Sequence, residues 1–173
     1  MSSPSLSAAT LSQLDQAAFV AALDGIFEHS PWVAERTWPR RPFANREALL
    51  GTLVGTMQAA PRDEQLALIR AHPELAGKAA VRGELTAEST REQAGAGLGA
   101  CSPQEFELIQ ELNEAYKGKF GFPFIIAVKG LGRYDIIDAM RKRLLHTHQV
   151  EFAEALNQIA RIAALRLNER VEG

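Results

Sequence analysis

The sequence predicts an all-α protein, a single-domain compact helical bundle with one extended, buried segment near residues 120–128. Three observations carry this. Apolar residues recur at helical spacing through most of the chain, cap and stop residues bracket those runs, and only residues 122–128 have the apolar, aromatic and β-branched character of a strand. A single strand has no partner, so that segment is expected to lie extended across helices. At 173 residues, 46% hydrophobic and 23% charged, the chain can bury one sizeable core.

Residues 2–10 are Ser/Ala-rich without helical period, and residues 1–12 read as a flexible lead-in to a domain spanning 13–173. Phe19, Val20, Leu23, Ile26 and Phe27 then recur at helix spacing. A region holding Pro31, Pro39 and Pro42, with Trp32 and Trp38, separates them from Leu49, Leu50, Leu53, Val54 and Met57, which follow the cap Asn45. A third helix starts at about Pro61, suited to a first turn, and passes Leu66 and Ile69 to a break at Pro73. Ser102-Pro103-Gln104-Glu105 combines a cap, a first-position proline and the returning acid of a capping box. It opens a helix with Phe106, Ile109, Leu112 and Tyr116 inward and Gly118 as its stop. Ile136, Ile137, Met140 and Leu144 mark another helix, and Phe152, Leu156, Ile159, Ala163 and Leu167 a long final one.

The formal net charge is −2. The short clusters Arg40-Arg41 and Arg141-Lys142-Arg143 read as solvated helix faces, so no footprint for nucleic acid or an anionic membrane is expected. Cys101 is the single cysteine and has no partner for an internal disulfide or a thiolate metal cage. No run of about 18 apolar residues, no export signal and no Ser-Lys-Leu ending is present, so a cytoplasmic location is expected.

Chemistry concentrates in a few places. Pro73 disfavours the α conformation at His72, so a helix should end there and expose an imidazole at its C-terminus, as a general acid/base or as a helix cap. His29, His146 and His148 read as ordinary histidines, and no dense ligand motif suggests a metal. Ser89 and Glu92 have the spacing of a capping box. Alternatively, Glu92 polarises the His72 imidazole while Ser89 and Gln93 bind a polar ligand. Spacing alone does not choose. Arg166 occupies the next position of the stripe Ala155, Ile159, Ile162, where an apolar residue belongs. It needs an acidic side chain, or a substrate carboxylate or flat imide-like group matched to its paired donors.

His72-Pro73-Glu74-Leu75 with Gly77-Lys78, Ser89-x-x-Glu92-Gln93 with Ala96-Gly97-Leu98, Asn113-x-x-Tyr116 leading into Lys119-Phe120-Gly121-Phe122-Pro123-Phe124-Ile125, and the stretch 151–167 with Arg166 occur together, in order. In these the chain resembles the 2-oxo-4-hydroxy-4-carboxy-5-ureidoimidazoline (OHCU) decarboxylases of uric acid breakdown, over about residues 15–170. The resemblance implies an all-helical homodimer, without metal or organic cofactor, that converts OHCU to (S)-allantoin. It implies His72 as acid/base residue with Glu92 as its partner, and Pro73, Ser89, Gln93 and Arg166 as substrate contacts. Main-chain groups of residues 122–126, with Phe124, Ile125 and Ile126, are implied to line the same pocket. Two rivals remain: a non-catalytic helical ligand- or partner-binding module, and a metal-dependent hydrolase using His72, Glu74 and Glu92.

Overall fold

A computed structural model describes residues 5–77 and 82–173, so Lys78 of the Gly77-Lys78 pair lies outside the described residues. The backbone contacts fall into two units, Met1–Leu68 with Ala160–Gly173, and Ile69–Ile159. All the regular elements described are helical, as the sequence predicts.

The first unit holds α1 (Ala8–Ser12), α2 (Gln16–Ala22), α3 (Trp32–Thr37), α4 (Arg46–Ala59) and most of α5 (Arg62–Ala71). Part of the stretch read as a lead-in is therefore ordered helix. Ser7 and Thr10 form a capping box, Leu11 is fully buried, and Leu6 makes a parallel bridge to Val171. One helical turn is too short to show an apolar period, which is why composition misled there. The α2 helix also stops before its apolar spacing does. Gly25 takes φ +84° in the left-handed region after Leu23 caps the helix, and Ile26 and Phe27 are buried from the turn that follows. The proline-rich stretch contains α3, and Asn45 caps α4 by accepting from the Ala48 N–H at 2.8 Å.

The second unit holds the end of α5, then α6 (Ala87–Gly95), α7 (Pro103–Phe120), α8 (Arg133–Arg143) and the first half of α9 (His148–Arg170). The Ser102 capping box with Pro103 at the first position forms as expected. Gly118, expected to stop α7, lies inside it. The helix runs two residues further, and Gly121 caps it at φ +80°. The buried face is Ile109, Asn113, Tyr116 and Phe120, while Phe106 and Leu112 are only partly covered. Phe120 packs on Tyr116 with ring centroids 4.6 Å apart, which rewards the extra turn. Residues 123–128 form neither helix nor strand, and Phe122, Phe124, Ile125 and Val128 are buried. Among the described residues no helix is long and apolar enough to cross a membrane.

Ser89 is not a cap. Thr86 precedes α6 in extended conformation and its hydroxyl accepts from the Ser89 N–H at 3.2 Å, so Ser89 sits inside the first turn. Thr86→Ala is expected to lower stability by about 1 kcal/mol in urea denaturation, with Thr86→Ser restoring most of the loss.

Candidate active site

The α5 helix ends at Ala71, and His72 follows it with its N–H donating to the Ile69 carbonyl at 3.2 Å. The proline predicted this stop. The exposure expected for the imidazole is not found: His72 is 7% exposed. Burial makes an acid/base role more demanding, because an imidazole charged in such a place needs a partner.

The loop after His72 is held by side chains rather than by regular structure. Gln93 of α6 accepts from the Ala76 N–H at 2.9 Å and donates to the Glu74 carbonyl at 3.4 Å. From α7, Gln110 donates to the Ala76 carbonyl at 2.6 Å and Asn113 to the Leu75 carbonyl at 2.9 Å. Lys117 pairs with the Glu74 carboxylate at 2.8 Å. These bonds hold Ala76 at φ +50°, a conformation an alanine rarely adopts. A Cβ on Gly77 would come within 2.9 Å of the Glu74 Cβ, so the tight turn requires glycine. Glu74, which the metal-hydrolase reading enlisted as a ligand, is thus tied to Lys117. Among the described residues no three of His, Cys, Asp and Glu are grouped to hold a metal ion.

Helical spacing puts Ser89, Glu92 and Gln93 on one side of α6. Ser89 and Gln93 are buried and Glu92 half-buried. An apolar recess lined by Ala76, Leu85, Gln93, Leu98, Cys101 and Phe106 adjoins the loop. Burial pushes the Cys101 thiol up from its ordinary value, which makes it a poor nucleophile.

Residues 122–128 are held by a buried cluster that the sequence reading did not identify. Arg143, in a run read as a solvated face, is 7% exposed and donates through its Nη1 to the Ile125 carbonyl. Its Nε donates to the Glu151 carboxylate at 2.7 Å, and its guanidinium lies 4.3 Å from the Phe124 ring centroid. Glu151 is fully buried and also accepts from the Tyr116 hydroxyl at 2.7 Å, with His146 Nδ1 at 2.9 Å from its other oxygen. Gln158 accepts from the Ala127 N–H at 2.9 Å. A signal for these residues was present. Arg143 continues the spacing of Ile136 and Met140, and Glu151 and Gln158 interrupt the stripe of Ala155 and Ile162, the same kind of anomaly that marked Arg166.

Arg166 belongs to the first unit, where it is 4% exposed. Its Nη2 donates to Glu28 at 3.0 Å and its Nη1 to the Gly25 carbonyl at 2.8 Å. An acidic side chain is therefore among its partners, and the broken turn after α2 supplies the carbonyl.

The helical fold thus carries a buried histidine at the head of a loop braced by amide side chains. The OHCU decarboxylase family model matches residues 12–168. An OHCU decarboxylase of Halalkalicoccus jeotgali is 46% identical over 159 residues, covering 92% of this chain and 88% of that one. One of Haloferax volcanii is 43% identical, covering 92% and 93%. The crystal structure of an (S)-allantoin synthase superposes with a TM-score of 0.79 at 27% identity, covering 96% of this chain but 54% of that one. The chain belongs to the OHCU decarboxylase family.

Burial, followed by the hydrogen bond to Glu151, pushes the Tyr116 phenol far above its ordinary value. A raised phenol favours the protonated folded form, so its contribution is complete below the unfolded value near 10 and is lost as pH rises beyond it. Alkaline spectrophotometric titration should therefore show Tyr116 ionising only as the protein unfolds.

Proposed function

We propose that this chain is a carboxy-lyase that converts OHCU to carbon dioxide and (S)-allantoin without metal or organic cofactor, in uric acid degradation. The observation that carries the reading is a His72-Pro73 loop, within the stretch matched to the family and braced by Gln93 of α6 and by Gln110 and Asn113 of α7. Such bracing holds the backbone that follows the buried imidazole, which restricts its movement as proton transfer demands. A cytoplasmic homodimer is part of the same reading, resting on the resemblance.

The substrate supplies its own electron sink. Its ring carbon bearing the carboxylate also bears a hydroxyl and adjoins a C=N bond. As the bond to the carboxylate breaks, its electron pair passes into the C=N. The former imine nitrogen takes up one proton, the hydroxyl loses its proton as the carbonyl forms, and one proton is delivered to a single face of the former imine carbon, so the reaction consumes one proton from solvent. His72 handles these protons, and Glu92 stabilises its charged form, an effect worth about 10²–10⁴-fold. Ser89 and Pro73 contact the ring, and Gln93 offers the amide hydrogen not directed at Glu74. The family resemblance adds Arg166 as a further substrate contact, through its planar donors. The apolar Phe122-Pro123-Phe124 stretch keeps water from the departing carboxylate, with main-chain groups of residues 122–126, among them Phe124, Ile125 and Ile126, lining the pocket.

The test is to add the protein to freshly generated urate-oxidation intermediates and follow the optical activity of allantoin. His72→Gln is expected to fold and to lower kcat by about 10²–10⁴, with Glu92→Gln losing less and Arg166→Lys mainly raising KM. Near-normal turnover by folded His72→Gln protein would remove His72 from the chemistry. Activity is expected to survive exhaustive chelation, since the C=N accepts the electrons. Loss on chelation with recovery on adding a divalent ion would overturn the mechanism.

A further inference from the structure

The side chains that grip residues 122–128 act on two adjoining peptides. Arg143 binds the Ile125 carbonyl, and Gln158 binds the Ala127 N–H at 2.9 Å. In a planar trans peptide the N–H and C=O point in opposite directions. Fixing the Ile125 carbonyl on Arg143 therefore turns the Ile126 N–H away from that anchor. Fixing the Ala127 N–H on Gln158 likewise turns the Ile126 carbonyl away from Gln158. Among the described residues neither of these Ile126 groups meets a hydrogen-bond partner.

Both anchors are themselves immobilised. Arg143 is 7% exposed, held at Nε by Glu151 at 2.7 Å and approached by the Tyr116 hydroxyl at 3.5 Å, and it is stacked over Phe124. Gln158 is equally buried, and its amide nitrogen donates to Glu154 at 2.6 Å, which fixes the oxygen toward Ala127. A buried charge on one peptide and an oriented amide on the next satisfy the outer groups of the two peptides that flank Ile126.

We propose that Arg143 and Gln158 are positioning residues for substrate recognition. By fixing the two peptides that flank Ile126, they direct its N–H and C=O, as one donor and one acceptor, toward a flat group that carries an N–H beside a C=O. A ureido or ring amide of the substrate is such a group. The inference rests on the reading that residues 124–126 face the substrate, and it assigns the residues that make them selective.

The experiment compares steady-state decarboxylation and thermal unfolding of the unsubstituted protein, Gln158→Leu, Arg143→Lys and the paired variant Glu154→Gln/Gln158→Glu. Gln158→Leu keeps the side chain's bulk and creates no buried charge. It is expected to raise KM on the order of tenfold, the loss of about one hydrogen bond, with the pH profile of kcat unchanged. The paired variant keeps an acceptor for Ala127 and a hydrogen bond between positions 154 and 158, and is expected to return KM toward the unsubstituted value. Arg143→Lys should raise KM in the same direction; if it fails to fold, the Gln158 variants decide. An unchanged KM in folded Gln158→Leu, or a raised KM that the paired variant does not rescue, overturns the inference while decarboxylation by the unsubstituted protein still stands. An unsubstituted protein that does not decarboxylate OHCU brings down the functional reading and this inference with it.

Discussion

A fully buried carboxylate is the constraint on which the second unit is built. Glu151 has no access to water, and an ionised carboxylate in that position is tolerable only if nearly all its oxygen lone pairs are used. Tyr116 from α7, Arg143 from α8 and His146 from the turn between α8 and α9 all come to it. Three elements are thereby brought into one register. An apolar core would join the helices as well or better, since buried ion pairs seldom add net stability. What leucines and valines could not do is satisfy the main chain of a non-helical segment, whose peptide groups have no ladder of their own. Arg143 does this at Ile125 because its charge is already balanced by Glu151, and its fork has donors to spare.

The loop after His72 solves the same problem with neutral groups. Its carbonyls and one N–H are bound by Gln93, Gln110 and Asn113, and the left-handed Ala76 persists because the surroundings over-determine it. Two irregular pieces, one bearing a histidine and one a run of peptide groups outside any helix, are thus gripped by polar side chains that project from regular helices. Placement on rigid elements is what gives a site its tolerance. It also explains why Arg70 donates from the end of α5 to the carbonyl of Gly121: the C-cap of α7 is fixed immediately before the residues that Arg143 and Gln158 hold.

The helices were legible where local chemistry is self-sufficient. Ser102-Pro103 with Glu105, Asn45 before α4 and the His72-Pro73 break each act through neighbours within one turn, and the sequence states them outright. It failed where two local signals compete. Gly118 and Gly121 both qualify as stops, and the stacking of Phe120 on Tyr116 favours the later one. Thr86 and Ser89 both qualify as caps, and only Thr86 is extended. At the candidate site, the histidine loop and α6 could be read, whereas Arg143 could not while it was counted among its basic neighbours. Its charge suggested solvent, and its place in the stripe of Ile136 and Met140 pointed inward. Stripe position outranks charge when a partner such as Glu151 lies within reach, and Arg166 with Glu28 obeys the same rule in the first unit.

That second pair bears on the chemistry proposed here. A decarboxylation destroys the negative charge on which a lone arginine would naturally close, so a guanidinium aimed with full force at the carboxylate would stabilise the starting state more than the transition state. Arg166 is not such a group. Its charge is shared with buried Glu28, and one of its nitrogens is committed to the Gly25 carbonyl. A guanidinium neutralised in this way, were it to meet the substrate as proposed, would oppose the departure of carbon dioxide far less than a free one. The turn after α2, where Gly25 interrupts a helix that the apolar spacing would have continued, is the structural cost of offering Arg166 that carbonyl.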